Sequence, residues 1–175
     1  MSSIPDTLAG RLADWSGLPD GYDTADLRRE VDADWTFEPR AGVRIGRSFG
    51  IMRAPRAGES TDLEAWVPTG GELLSSLEYR PPAALDHAAV LAGLGEPEVV
   101  LATSRYEPGA LVRDQVHAAR GITVAVATPF APEPDEEREQ APPYIVFVQL
   151  YAAGPTHYYT QTVGQSDVEI RAYPR

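Results

Sequence analysis

Apolar and polar residues alternate with a period of two in several stretches of the first half of the chain. Residues 43–52 alternate in this way and predict one strand or a bent pair of strands, because successive side chains of a strand point to opposite faces. Residues 63–67 and 73–79 are also strand-like, and they flank the turn-rich sequence Pro-Thr-Gly-Gly at 68–71. This arrangement predicts a β-hairpin.

The second half contains four further strand-like runs and a tight turn at Arg120 and Gly121. The runs are residues 99–102, 111–118, 122–127 and 144–151. They predict an antiparallel meander, because short strands joined by short connections usually pair with their neighbours along the chain. In the last run both alternating sets of side chains are largely apolar, which predicts a core strand. Strict alternation places four residues on one of its faces: Tyr144, Val146, Val148 and Leu150.

Capping residues and helical periodicity predict three short helices. Ser3 and Asp6 have the spacing of a capping box, and apolar residues recur at helical spacing from there to Trp15. Residues 25–31, which follow a threonine, predict a second and highly charged helix. Residues 82–94 predict the third, because a pair of prolines opens it and a glycine and a proline follow it.

These elements predict an α+β fold, mainly antiparallel sheet in one or two sheets, with a few short helices packed on one face. The expected domain spans residues 1–175. A faint echo between the two halves, about 80 residues apart, suggests two tandem helix-plus-sheet units at about 1–80 and 81–175, although chance similarity is an equal explanation. Residues 129–143 are acidic, proline-rich and without periodicity, which predicts a mobile loop.

One short motif resembles a known family. The sequence LAGLGEPEVVL at residues 91–101 reads as a helix that ends in Leu-Gly-x-Pro and leads into strands. It resembles the repeat unit of small bacterial proteins such as the β-lactamase inhibitory protein and the outer-membrane-assembly lipoproteins. The resemblance implies a binding role. It transfers no functional residue, and the chain departs from the inhibitory protein because it contains no cysteine for that protein's disulfides.

Composition excludes several kinds of chemistry. The chain contains no cysteine, so disulfides, thiolate metal sites and a cysteine nucleophile are excluded. All fifteen basic residues are arginine, which excludes a Schiff-base lysine and the phosphate-binding lysine of P-loop proteins. The net charge of −11 disfavours nucleic-acid binding. The absence of a long apolar run and of a signal-like N-terminus predicts a cytoplasmic protein that does not enter a membrane.

No sequence motif assigns a catalytic residue. His87, His117 and His157 are separated by 30 and 40 residues, so they could ligate a metal only by converging in space, with Asp86 or Asp114 as further ligands. No HxH or HExxH spacing supports that, and we predict neither a metal nor a cofactor. The GxSxG motif of serine hydrolases is absent as well.

Several polar and aromatic residues are candidates for binding. The acidic run of residues 133–139 reads either as a solubilising loop or as a contact surface for a basic partner, and the same two interpretations apply to the acidic tract of residues 20–34. Arginines near 43–52 can bind a carboxylate or phosphate, or can pair with neighbouring acids. The candidate binding residues are Glu133, Asp135, Glu136, Glu137, Glu139, Arg44, Arg47, His117, His157, Tyr158 and Tyr159.

These observations predict a small protein-binding or inhibitor module with a basic protein partner, for example a bacterial toxin-neutralising immunity protein. The alternative is a small enzyme or accessory protein of a metabolic or biosynthetic cluster, with a pocket lined by His, Tyr and Arg. An intracellular structural subunit is a third interpretation. The oligomeric state does not follow from the sequence.

Overall fold

The computed structural model describes residues 3–44, 47–55, 63–103, 105–131 and 140–156, which form one eight-stranded antiparallel sheet with three short α-helices. The helices are α1 (Ile4–Leu8), α2 (Thr24–Glu30) and α3 (His87–Leu94), and a 3₁₀ helix spans Ala118–Arg120. The strands are β1 (Thr36–Arg44), β2 (Arg47–Ala54), β3 (Leu63–Pro68), β4 (Ser76–Tyr79), β5 (Val99–Ala102), β6 (Ala110–His117), β7 (Ile122–Pro129) and β8 (Tyr144–Leu150).

The sheet consists of two four-stranded meanders joined through their last strands. Its strand order is β1-β2-β3-β4-β8-β7-β6-β5, and β4 pairs with β8 in antiparallel register from Leu77 opposite Leu150 to Tyr79 opposite Val148. The predicted α+β class, the hairpin of β3 and β4 and the meander in the second half are confirmed. The similarity of the two halves stays a prediction.

Capping explains where the helices begin. The capping box of Ser3 and Asp6 is present and starts α1, whereas Leu12 and Trp15, predicted to continue this helix, are buried outside it. Gly10 adopts φ +96°, which a right-handed helix does not accommodate. The second predicted helix is confirmed as α2. The third begins later than predicted, because Asp86 caps it by accepting a hydrogen bond from a backbone N–H of its first turn.

One strand prediction is confirmed in the second of its two forms, and another needs correction. The alternation over residues 43–52 belongs to two strands, because β1 and β2 form an antiparallel hairpin across this region. In β8, a register shift against β7 between Ala125 and Val126 breaks the expected alternation. As a result Ile145 packs in the main core with Val148, while Val146 packs in a separate cluster on the other side.

The main core is the hydrophobic cluster that contains buried residues of all three helices and of the sheet. Ile4 of α1, Leu27 of α2 and Val90 of α3 are buried in the same apolar cluster as the inward residues of β3, β4, β7 and β8. The two outer strands have features that disfavour pairing with another chain. β5 is only four residues long, and β1 contains Pro39 at an irregularity in its pairing with β2.

The segment between α1 and α2 is held against the turn between β6 and β7. The indole N–H of Trp15 donates to the carbonyl of Gly121 at 3.0 Å, and the backbone N–H of Leu18 donates to the carbonyl of Tyr151 at 2.9 Å. Arg120 donates to further carbonyls of the same segment. These contacts position the loop that carries Pro19 and Tyr22, which lines two grooves.

Candidate functional site

The acidic tract of residues 20–34 presents a row of solvent-exposed carboxylates. Two of its acids, Asp23 and Asp26, serve as the capping box of α2 and are partly buried. The remaining four are exposed, and none of them forms an ion pair with a described residue. We call these four the acidic surface: Asp20, Glu30, Asp32 and Asp34.

The orientation of the acidic surface depends on one buried side chain. Within α2, Leu27 is fully buried in the main core, while Arg28, Arg29 and Glu30 are exposed. A helix that is anchored along one apolar stripe turns its polar residues to solvent. Glu30 is the last residue of α2, and Asp34 follows four residues later. Their Cα atoms are therefore at most about 15 Å apart, since consecutive Cα atoms are about 3.8 Å apart.

A pocket of about 300 Å³ lies beside the acidic surface, and we call it the Tyr22 pocket. Its walls are apolar or aromatic, and one carboxylate lies among the lining residues. The main lining residues are Ile4, Pro5, Trp15, Pro19, Tyr22 and Glu30. Since the N–H of Trp15 is already bonded to Gly121, its indole offers the pocket an apolar ring.

The Tyr22 hydroxyl is a buried polar group close to the carboxylate of Glu30. Tyr22 is 6% exposed, and its backbone is held by hydrogen bonds to Pro19 and Leu74. Burial raises the pKa of this hydroxyl well above its ordinary value, and the negative charges of Glu30 and Asp26, together with a hydrogen bond between the hydroxyl and Glu30, raise it further. The pocket is therefore an apolar site in a negative electrostatic field.

Two other depressions are present in the described part of the chain. One of about 330 Å³ lies on the other side of the Pro19–Tyr22 loop, where Leu73 is 55% exposed and Asp20 belongs to the lining. The other, of about 460 Å³, separates the chain after α1 from α3 and is lined by residues that include Arg11 and Asp14. Only the first of the two adjoins the acidic surface.

A second candidate site is a buried polar cluster on the sheet face opposite the main core. Glu78 of β4 is 2% exposed and accepts hydrogen bonds from Gln149 Nε2 at 2.8 Å and from Ser76 Oγ at 3.2 Å. Arg105 lies over the ring of Phe147, 3.9 Å from its centre. We call Glu78, Gln149, Ser76, Arg105 and Asp114 the polar cluster.

Arg105 is shared between two buried carboxylates. Its guanidinium nitrogens lie 3.8 Å from an oxygen of Glu78 and 3.8 Å from an oxygen of Asp114. Burial raises the pKa of Asp114 from its ordinary 3.8 to about 6, although Arg105 and Thr103 oppose this rise. The other oxygen of Asp114 is buried without a hydrogen-bond partner among the described residues. Such a carboxyl exchanges its proton near neutral pH.

We expect the stability of the protein to fall as the pH rises through the pKa of Asp114. The folded state holds this proton more tightly than the unfolded chain, so the stabilisation is fully present below about pH 4 and is lost above about pH 6. The loss amounts to about 3 kcal/mol, at about 1.4 kcal/mol for each pH unit between the two pKa values. Urea unfolding at pH 4 and pH 7.5 measures it.

Asp114→Asn is the matched control, because asparagine has nearly the same shape and does not titrate in this range. We expect this variant to gain stability relative to the parent chain as the pH rises from 4 to 7.5. Parallel pH profiles for the two proteins would contradict the assigned pKa.

The structure separates the sequence-predicted candidates. His117 is the last residue of β6 and is 3% exposed. Its burial lowers the pKa of its imidazole, and the positive charge of Arg120 lowers it further. His87 begins α3, where its Nδ1 accepts a hydrogen bond from the backbone N–H of Ile145. Arg44 and Arg47 occupy opposite backbone positions in the register of β1 and β2, at the end of this hairpin. The other candidates lie outside the described residues: Glu133, Asp135, Glu136, Glu137, Glu139, His157, Tyr158 and Tyr159.

Neither a metal centre nor a membrane helix is found in the described part of the chain. No group of three or more His, Asp or Glu side chains there is placed to hold a metal ion. The longest of the described helices has eight residues, far fewer than the roughly 20 apolar residues that cross a bilayer.

Sequence reasoning missed Tyr22, Glu78 and Arg105. The sequence does contain a signal for Glu78, which is a charged residue between Leu77 and Tyr79 in a predicted strand. If such a residue is buried, it needs a polar partner. Tyr22 stands in a glycine- and proline-rich loop and left no such signal.

Comparison with known proteins adds no relative. No protein-family model matches this chain, and neither a curated protein nor a solved structure is detectably similar to it. The function is therefore inferred from the geometry of the described residues.

Proposed function

We propose that this chain is a small protein-binding or inhibitor module whose acidic surface and adjoining grooves bind a basic partner. The observation that carries this proposal is the row of exposed carboxylates, none of them in an ion pair with a described residue, beside two depressions lined largely by apolar residues. Protein interfaces commonly combine an apolar centre with a polar and charged rim. The acidic surface would supply that rim. The Tyr22 pocket and the depression of about 330 Å³ beside Leu73 would supply the centre.

The charge distribution supports a basic partner. Residues 20–34 contain six acidic residues and two arginines, and the net charge of the chain is −11. A charged surface of this kind accelerates encounter with an oppositely charged protein and excludes acidic ones. A toxin-neutralising immunity protein, which covers a basic site on an enzyme, is one form that such a module takes.

Reversing two charges of the acidic surface tests the proposal. The full chain is used to isolate a partner from its native host, the partner is produced separately, and association rates are measured by stopped flow at several salt concentrations. We expect Asp32→Arg with Asp34→Arg to slow association by at least about tenfold at low salt, because steering by charge contributes about 10–1,000-fold. Added salt should reduce the difference.

Charge reversal at Glu136 and Glu137 is the matched control, since it changes the net charge by the same amount in the other acidic tract. We expect it to slow association much less. An equal effect of the two double variants would show that only net charge matters, and unchanged rates in both would reject the proposed surface.

The polar cluster favours a second candidate function, a small enzyme or accessory protein. A buried carboxyl with a pKa of about 6 beside an arginine is suited to accept or donate a proton at neutral pH. A metabolite panel screened by thermal shift tests this. A compound that raises the Tm of the parent chain and not that of Asp114→Asn would support it, and equal effects on both would count against it.

A further inference from the structure

The depression of about 330 Å³ beside Leu73 has two sides that are joined by backbone hydrogen bonds, and we call it the Leu73 groove. One side is the loop before α2, and the other is the segment that leads from β3 into β4. The backbone N–H of Leu74 donates to the carbonyl of Tyr22 at 3.0 Å, and that of Thr24 donates to the carbonyl of Glu72 at 3.1 Å. The groove is therefore preformed, and a ligand need not order these segments when it binds.

The lining of the Leu73 groove is largely apolar and only partly buried. Leu73 is 55% exposed, whereas Leu18 and Phe49 of the same lining are buried. A lone exposed leucine is ordinary on a protein surface. Leu73 instead adjoins a groove whose volume is near the lower limit of small-molecule pockets, roughly 300 Å³. One bulky apolar side chain placed there would fill the groove and cover Leu73 together.

The charges around the Leu73 groove select among possible occupants. The two segments that form it, residues 18–24 and 68–75, contain three acids, Asp20, Asp23 and Glu72, and no arginine. Asp20 and Glu72 are exposed. A second copy of this chain would bring the same negative charges against them, and an anionic membrane or a nucleic acid would be repelled as well. The charges therefore favour an apolar group that has positive charge beside it.

We propose that the Leu73 groove receives one bulky apolar side chain of the basic partner protein, and that an arginine or lysine next to this side chain faces Asp20 and Glu72. The inference rests on the proposed function, because it assigns the central anchor to the same interface. Well-packed apolar anchors carry most of the affinity of an interface, whereas exposed charge pairs contribute little. The anchor therefore sets the rate of dissociation, and the surrounding charges set the rate of association.

A short peptide tests the groove without the partner. The probe is acetyl-Arg-Phe-Arg-amide, titrated into the full chain while the backbone N–H signals of Leu73 and Leu74 are followed by NMR. We expect saturable shifts of both signals. Acetyl-Arg-Ala-Arg-amide lacks the anchor, and acetyl-Glu-Phe-Glu-amide reverses the flanking charge. Each should bind at least about tenfold more weakly, because one loses the burial of an aromatic ring and the other places like charges together.

Leu73→Ala tests the anchor in the complex with the partner. We expect the dissociation rate to rise at least about tenfold and the association rate to change by less than about twofold, because truncation of a central apolar contact acts mainly on the lifetime of a complex. Leu73 is half-exposed, so the variant keeps the fold.

Leu111→Ala is the matched control, since Leu111 is 47% exposed and lies far from the groove. Strand pairing places His117 of β6 level with Leu77 of β4, and Leu111 is a further 20 Å or so along β6, about six residues towards the end of the sheet away from Leu73. We expect the control to leave both rates within about twofold of the parent values.

Three results would overturn the inference. Leu73→Ala and Leu111→Ala could change dissociation equally, or the arginine and glutamate peptides could bind alike or leave the Leu73 signal unshifted. The third is self-association of the full chain in analytical ultracentrifugation that Leu73→Ala abolishes, because the occupant would then be a second copy.

Failure of the anchor is distinguishable from failure of the proposed function. If Asp32→Arg with Asp34→Arg slows association while Leu73→Ala leaves dissociation unchanged, the acidic surface is the interface and the anchor is wrong. If the peptides and Leu73→Ala behave as expected while the charge reversal leaves association unchanged, the anchor stands and the acidic surface is not what binds the partner.

Discussion

Gly121→Ala is expected to destabilise the protein by about 2–4 kcal/mol. Gly121 has φ +61°, in the left-handed region that costs a residue with a Cβ about 1 kcal/mol. A Cβ at this position would clash with the carbonyl oxygen of Tyr151, and would lie 2.8 Å from Cα of Gly17 and 2.9 Å from the backbone nitrogen of Ala153. All three neighbours are backbone atoms, so the contact is relieved only by moving the segment that follows β8 or the segment before Pro19.

Gly70→Ala separates the two parts of this effect. Gly70 also has a positive φ, +84°, but a Cβ added there meets no atom within 4 Å. We expect this variant to lose only about 1 kcal/mol, the backbone contribution alone. Urea unfolding of the two variants at the same pH measures the difference. Equal losses of stability in the two variants would show that the backbone segments around Gly121 can move apart at little cost in free energy.

Arg120→Ala is expected to cost about 2–3 kcal/mol, because hydrogen bonds made by a charged group are among the stronger ones. The guanidinium donates to the carbonyls of Gly93 and Leu94 at 3.3 Å, which are last-turn carbonyls of α3, and to the carbonyls of Trp15 and Ala13. One side chain thus joins the C-terminus of α3 to the segment between α1 and α2. A positive charge at that helix end is favourable as well.

Arg120→Lys tests whether the geometry of the guanidinium matters. A single ammonium group keeps the charge but lacks the planar fork that reaches several carbonyls at once. We expect lysine to recover less than half of the stability lost in the alanine variant, measured by urea unfolding. Full recovery would mean that charge at the helix end is the whole contribution.

The same junction supports the candidate site. Trp15 lines the Tyr22 pocket and donates its indole N–H to Gly121, so both variants act on the segment that forms one wall. Loss of packing at Gly121 or Arg120 should therefore also broaden the indole N–H signal of Trp15 in NMR spectra. Stability and binding are linked here through the chain rather than through direct contact.

Local patterns predicted most of the elements. The strand-like runs of β5, β6, β7 and β8 indicated strands whose bounds lie within two residues of those observed, because a strand that is buried on both faces reads as a short, largely apolar run. The threonine before residues 25–31, and the prolines and the glycine around α3, indicated these two helices for a similarly local reason. Length errors arose where a tertiary contact replaced a helical one, as at Leu12 and Trp15, which pack into the core from outside α1.

The candidate site was much less predictable than the fold. The acidic tract of residues 20–34 was visible in the sequence, but its division into capping acids and exposed acids depends on the position of Asp23 at the start of α2. The pocket brings together Ile4, Trp15, Tyr22 and Glu30 from different parts of the N-terminal region. The pKa of Asp114 depends on burial beneath Arg105, which no local pattern encodes.

By itself, the sequence determined the class of fold and excluded much chemistry. Periodicity and caps specify which faces are apolar, and the absence of cysteine and lysine removes their reactions whatever the fold. Only the tertiary structure decided that β4 pairs with β8, that Arg120 joins α3 to the N-terminal segment, and that Tyr22 and Glu30 line the same pocket. The reason is physical. The hydrophobic effect determines which face of each segment is buried, whereas the element that packs against this face depends on the packing of the whole chain.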